Sequence, residues 1–197
     1  MTDTLPDRTT DRLTQALTAI DAANAADPTQ VDGQPAALIY GQRMTAEQDR
    51  LFPDAPDVLR IACRGQHIER WLLPRSDFPM DRAGYFAWRQ EQGRRHAERV
   101  AGIMADAGYD SDVTDQARQM LTKQGIKRDP LVQALEDVAC FTFIRWYLGD
   151  FMAEQPDEKM PRIIERTARK MSAEARARAV REFPMPDHFA ALFRGAC

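Results

Sequence analysis

Residues 131–148 constrain the fold of this chain more than any other stretch. Leu131, Val132, Leu135, Val138, Ala139, Phe141, Phe143, Ile144, Trp146, Tyr147 and Leu148 leave no polar face there. A helix that is apolar all round is a core helix. Asp129-Pro130 opens it, an N-cap acid followed by proline at the first helical position. Inside it stands an adjacent carboxylate pair, Glu136-Asp137. A charge in such surroundings must be hydrogen-bonded, paired or metal-bound, because unpaired burial is strongly unfavourable. The rest of the chain therefore has to pack around this segment and supply those carboxylates with partners.

Further helix signals fill the chain. Residues 12–23 place Leu13, Ala16, Leu17 and Ile20 on one face, and the loop 24–34 ends them at Pro28 and Gly33. Pro35 suits the first turn of a helix over 36–51, and Pro53 and Pro56 separate it from a helix over 57–71. Asp81 is placed to cap a long helix ending at Gly108, and residues 111–124 follow, closed by Gly125. Three shorter helices are expected near 161–170, 173–183 and 186–194. No run alternates as a strand would. The expectation is an all-α fold, a single bundle of about eight helices. Residues 1–10 read as a disordered tip and 11–197 as one helical domain.

Composition removes several function classes. A net charge of −3 argues against a generic nucleic-acid binder. No apolar run approaches the ~20 residues that span a bilayer. The polar, acidic opening lacks the apolar core of a secretory signal. Cys63 and Cys140 lie in apolar segments, as small hydrophobes do, and no Cys-x-x-Cys pair occurs. A cytoplasmic location is expected. Dinucleotide, P-loop and nucleophile-elbow motifs are absent.

The candidate chemistry lies in few residues. Only three histidines occur, and two of them, His67 and His96, fall in the middle helices. His96 is in step with Val100 and Ile103, so it faces inward. His67, His96 and Asp137 are the candidate metal ligands, since imidazole and carboxylate together suit transition metals. Glu136 and Asp137 are the candidate catalytic carboxylates. The plainer reading is that the histidines simply hydrogen-bond that pair. Residues 60–100 hold nine arginines against five acids. Most of these arginines read as a solvated face. Arg43 and Arg70 sit among apolar residues and, with Lys123, are the candidate anion-binding residues.

The runs Tyr40-Gly41-Gln42-Arg43-Met44, Gln66-His67-Ile68-Glu69-Arg70-Trp71, Tyr85-Phe86-Ala87-Trp88-Arg89 and Leu135-Glu136-Asp137-Val138-Ala139-Cys140 resemble an uncharacterised domain-of-unknown-function family, DUF family 4202, over residues 13–183. More distantly, the order of elements resembles the HD superfamily of metal-dependent phosphohydrolases. In that resemblance Gln66-His67 stands where His-Asp is expected, Asp137 where a late aspartate is expected, and His96 at an extra polar position between. The family's early histidine has no counterpart, and Tyr40 or Arg43 occupies its helix.

The resemblance implies a metal-dependent hydrolase of a phosphate ester or nucleotide, using a divalent metal of unspecified identity. Two alternatives stand beside it. One is a non-catalytic binding protein for a small anionic metabolite. The other is an interaction module whose polar core is purely structural. The expected partner is a small anion, with neither nucleic acid nor membrane; oligomeric state is open.

Overall fold

The structure, a computed structural model, describes residues 8–154 and 159–196. Ten α-helices form among them, so the fold is all-α, with two helices more than the roughly eight expected. Residues 1–7 of the tip lie outside the described residues, and α1 begins at Arg8. The contacts gather into two compact units, divided after Gly125.

The first unit carries α1 (Arg8–Asn24), α2 (Ala36–Leu51), α3 (Asp57–Gly65), α4 (Arg82–Asp106) and α5 (Ser111–Leu121). Ile20, Met44, Leu59, Ile61, Val100, Met104 and Met120 are buried. Arg64 locks three helices together. Its guanidinium donates two 2.6 Å hydrogen bonds to Asp21 on α1 and one of 3.1 Å to Thr45 on α2. Such a bidentate, part-buried pair fixes orientation as well as distance.

Between α1 and α2 the chain forms a short antiparallel ladder, β1 (Gln30–Val31) and β2 (Gln34–Pro35), in place of a structureless loop. Its connection, Asp32-Gly33, has φ of 51° and 74°. Two positive φ values are what a two-residue hairpin turn needs. Behind it, buried Asp27 accepts 2.9 Å hydrogen bonds from the backbone N–H of Thr29 and of Ala37, tying the loop to the start of α2.

The helix expected over 57–71 ends early. α3 stops at Gly65, and Glu69 adopts φ 51° before a 3₁₀ turn over Arg70–Leu72. Asn24 holds that turn by accepting a 3.1 Å hydrogen bond from the Glu69 N–H. Gly65 lies hard against α4, where a Cβ would come within 2.4 Å of Val100 Cγ2. This close crossing sets His67, just past α3, beside His96, one turn from Val100 on α4.

The second unit is built on α6 (Pro130–Trp146), with α7 (Leu148–Glu154), α8 (Met160–Lys170), α9 (Ala173–Glu182) and α10 (Asp187–Gly195). Asp129 caps α6 as its sequence position predicts, accepting from the N–H groups of Leu131 and Val132 at 2.8 and 3.1 Å. α6 is the core helix of this unit, with Leu135, Val138 and Phe141 buried. It ends at Trp146 rather than 148, and the short α7 follows. No helix among the described residues is long and apolar enough to cross a membrane.

Candidate functional site

A cavity of about 820 Å³ opens in the first unit. Its walls are the turn after α3, with Gln66, His67 and Arg70, the first half of α4, from Phe86 to His96, and residues 121–124 after α5. On α4, Phe86, Arg89, Gln92, Gly93 and His96 recur at three- to four-residue spacing, which is one helix face. The end of α5 lies near Gly93, with the Leu121 carbonyl oxygen 3.5 Å from where a Cβ would stand, an ordinary contact distance.

The two histidines meet at this wall. Their ring centroids are 5.9 Å apart, and His67 stacks on Tyr40 at 4.2 Å. Tyr40 in turn donates a 3.1 Å hydrogen bond to the Gln66 amide oxygen. Burial, then the positive charge of Arg70, drives His67 well below its ordinary value. Burial, then Arg70, pushes His96 down to about 3, against a weaker opposing hydrogen bond to the Gln66 backbone. Both rings are therefore neutral near pH 7. Nε2 of His96 is buried and has no hydrogen-bond partner among the described residues.

The cations are arranged around the histidines. Arg70 lies 4.6 Å over the Trp88 ring, whose indole N–H donates to the Leu73 carbonyl at 3.0 Å. Gln92 fixes the same segment by donating to the carbonyls of Arg70 and Leu73 at 2.9 and 3.0 Å. Burial and Arg89 lower the Arg70 pKa, yet arginine stays charged. Among the described residues neither Arg70 nor Arg89 has a carboxylate partner. Lys123 also lines the cavity, from a backbone with φ 59°. A left-handed non-glycine residue is uncommon and stores strain, which gathers at functional sites. Arg94 completes the set, but its charge is engaged by Glu91, at 2.7 Å. Hydrogen bonds from Arg94 and Arg95 take the Glu91 carboxyl down to about 2.

Four sequence-predicted residues thus come together: His67, His96, Arg70 and Lys123. Arg43 is placed elsewhere, paired with Asp32 of the hairpin at 2.9 Å. Glu136 and Asp137 belong to the second unit. Asp137 Oδ1 accepts from Gln133 Nε2 at 2.9 Å and from the Ser172 backbone N–H at 2.8 Å. Burial raises its pKa while those bonds oppose the rise. Glu136 lies 3.7 Å from Lys170 Nζ. Together they fasten α6 to the turn between α8 and α9. Arg89 and Gln92 are the site residues that sequence reasoning passes over. Their signal is the shared α4 face with His96, hidden within a run of arginines that reads as solvated.

Among the described residues, no three His, Cys, Asp or Glu side chains are grouped so as to hold a metal ion. The first unit offers two neutral imidazoles and a cluster of cations. Held so low, His96 is a weak proton acceptor for acid–base chemistry near neutrality.

A family model for a domain of unknown function, DUF4202, matches residues 14–193, and the chain belongs to that family. No curated protein and no solved structure matches it.

Proposed function

We propose that this DUF4202 protein binds a small phosphate-bearing metabolite in the cavity of its first unit. The observation that carries this reading is the pair Arg70 and Arg89, which face one 820 Å³ cavity with Lys123 and lack carboxylate partners among the described residues. Arginine forks match the geometry of phosphate and carboxylate. The volume falls within the ~300–1,000 Å³ typical of small-ligand sites. Neutral histidines suit such a site, since they add neither repulsion nor competing negative charge. Calorimetric titration with inorganic phosphate, pyrophosphate and a panel of phosphorylated metabolites tests it. At least one anion should bind, and Arg70→Ala and Arg89→Glu should each weaken it at least about tenfold, the effect of losing one charge-assisted bond. No binding by any anion ends the reading.

A second reading, the HD-like metal-dependent phosphohydrolase, has one observation in its favour: two neutral imidazoles with centroids 5.9 Å apart. Among the described residues no third His, Cys, Asp or Glu side chain is grouped with them. Titration with manganese, iron, cobalt, nickel and zinc decides it. Binding that is lost in both His67→Ala and His96→Ala would favour this reading.

A further inference from the structure

We propose that the phosphate held in this cavity is esterified to a group that carries a flat aromatic ring, and that this ring stacks on Phe86. The inference rests on the anion-binding reading and narrows it to a ligand class.

Phe86 lines the cavity and is 56% exposed. A single exposed apolar residue is ordinary, but this one does not stand alone. Leu72, Met80 and Tyr85 are exposed as well. With Phe86 they fall on one stretch, which runs from the 3₁₀ turn of Arg70 into the start of α4. Trp146, the remaining exposed large hydrophobic among the described residues, belongs to the second unit. Around the Phe86 ring, Arg82 has its guanidinium carbon 5.6 Å from the centroid, and Tyr85 meets the ring nearly edge-on at 5.8 Å. Among the described residues no other ring or cation approaches it, and these two leave more than half of the residue open.

The helix start that carries Phe86 is firmly held. Asp81 caps α4 by accepting from the Gly84 N–H at 2.7 Å. Gly84 packs so closely on the preceding loop that a Cβ would come within 2.1 Å of the Pro79 carbonyl oxygen. Arg75 donates to the carbonyls of Phe78, Pro79 and Asp81 at 2.9, 2.6 and 3.2 Å. Phe86 is therefore presented from a fixed backbone, which lowers the ordering cost of binding to it.

The position of the cations then sets what Phe86 can meet. Arg89 follows Phe86 at i+3, a spacing that puts the two Cβ atoms roughly 5–6 Å apart on one helix face. Both residues line the cavity, as does Arg70. A phosphate on Arg70 and Arg89 thus leaves the esterified group within reach of Phe86. An aromatic ring gains more there than a saturated group of the same size, because stacked or edge-on rings attract beyond the area they bury. A purely hydroxylated group would set polar surface against the ring and gain little from it. Aryl phosphates and nucleoside monophosphates share the required chemistry, a phosphate joined to a flat ring.

Calorimetry on the full chain with two matched pairs tests the proposal, at about pH 8, where all of the esters are dianions. The pairs are phenyl phosphate against cyclohexyl phosphate, and adenosine 5′-monophosphate against ribose 5-phosphate. In at least one pair the aromatic member should bind about fivefold tighter or more, and the pair that shows the gap identifies the source of the ring. Phe86→Ala should bring that pair to within about twofold, while inorganic phosphate still binds. Phe86→Tyr, which keeps a ring, should retain most of the gap. Both pairs equal in the parent protein, or a gap that survives Phe86→Ala, overturns the proposal. So does a gap that Phe86→Tyr removes as fully as Phe86→Ala. The parent comparison decides even where a variant does not fold. If inorganic phosphate binds and neither pair differs, this inference alone falls. If no anion binds, the anion-binding reading falls and takes this one with it.

Discussion

The imidazoles of His67 and His96 stand 5.9 Å apart, centroid to centroid, and the same buried, cationic surroundings hold both of them neutral. A pH dependence of stability follows. Both pKa values lie lower in the folded chain than in the unfolded one, so the unfolded state binds more protons below about pH 6.5. Stability is full above that point and falls as pH drops toward the folded values, the His96 one being about 3. The slope reaches at most about 1.4 kcal/mol per pH unit for each histidine. The carboxyl with a strongly lowered value, Glu91 at about 2, contributes its loss only below the ordinary carboxylate range. Asp137, whose folded value burial raises, contributes with the opposite sign above the ordinary carboxylate range, so the histidine part of the urea-midpoint profile between pH 5 and 6.5 is the part that His96→Phe should flatten. A profile unchanged in His96→Phe would show that His96 titrates normally.

Lys123 occupies the left-handed region at φ 59°. Glycine adopts that conformation freely, and a side chain there carries about 1 kcal/mol of strain. Lys123→Gly should leave stability unchanged or raise it by up to about 1 kcal/mol, and should weaken anion binding through loss of the cation. Thermal denaturation and calorimetry check the two halves. A clear fall in stability would mean that the side chain holds the fold rather than the ligand.

Gly65 is where α3 meets α4, with room for no Cβ beside Val100. Gly65→Ala should push the helices apart and destabilise the first unit by about 1–3 kcal/mol, as overpacking does. Because the same crossing sets His67 beside His96, anion affinity should fall as well. Gly65→Ala paired with Val100→Ala should restore part of both losses, and no restoration would place the strain elsewhere.

Most of the helices were legible in the sequence because they are announced locally: Asp129-Pro130 before α6, Asp81 before α4, Gly125 after the turn beyond α5; the short α7 has no such signal. The hairpin is equally local. Asp32-Gly33 is a two-residue turn signal, but the strands it joins are two residues each, too short to show alternation. The early end of α3 was not legible. It depends on Asn24, 45 residues away, holding Glu69 in a left-handed turn. In the same way, the inward phase of His96 could be read from Val100 and Ile103, and the meeting with His67 could not. Arg70 and Lys123 stood out by their setting. Arg89 did not, since a run of arginines with interleaved acids has no local sign that one of them lacks a partner. The carboxylate pair on α6 demanded partners; Gln133 is one helical turn from Asp137, an i,i+4 pair that the spacing allows, whereas Ser172 and Lys170 come from the far end of α8 and beyond, contacts that no spacing rule points to.

Asp137 provides the sharpest contrast between a structural and a catalytic carboxylate. Its Oδ1 receives the Ser172 N–H, at the cap of α9, and the Gln133 amide, which also donates to the Lys170 carbonyl at 2.9 Å. Asp137→Leu leaves the Ser172 N–H and one Gln133 donor site without that acceptor. Each unsatisfied buried donor costs about 1–3 kcal/mol, so the variant should lose roughly 2–5 kcal/mol. Asp137→Asn keeps an acceptor oxygen at the same place and removes only the charge, which burial already disfavours. It should lose less than about 1.5 kcal/mol. A double-mutant cycle between Asp137→Asn and Gln133→Leu should return a coupling of about 0.5–3 kcal/mol, as expected for residues in one hydrogen-bonded network. Urea unfolding followed by circular dichroism measures all of these. The metal-dependent hydrolase reading makes a further demand, that Asp137→Asn abolish metal binding. A variant that keeps both its stability and any metal affinity of the parent would leave the carboxylate with the task its two bonds describe, fastening α6 to the α8–α9 turn.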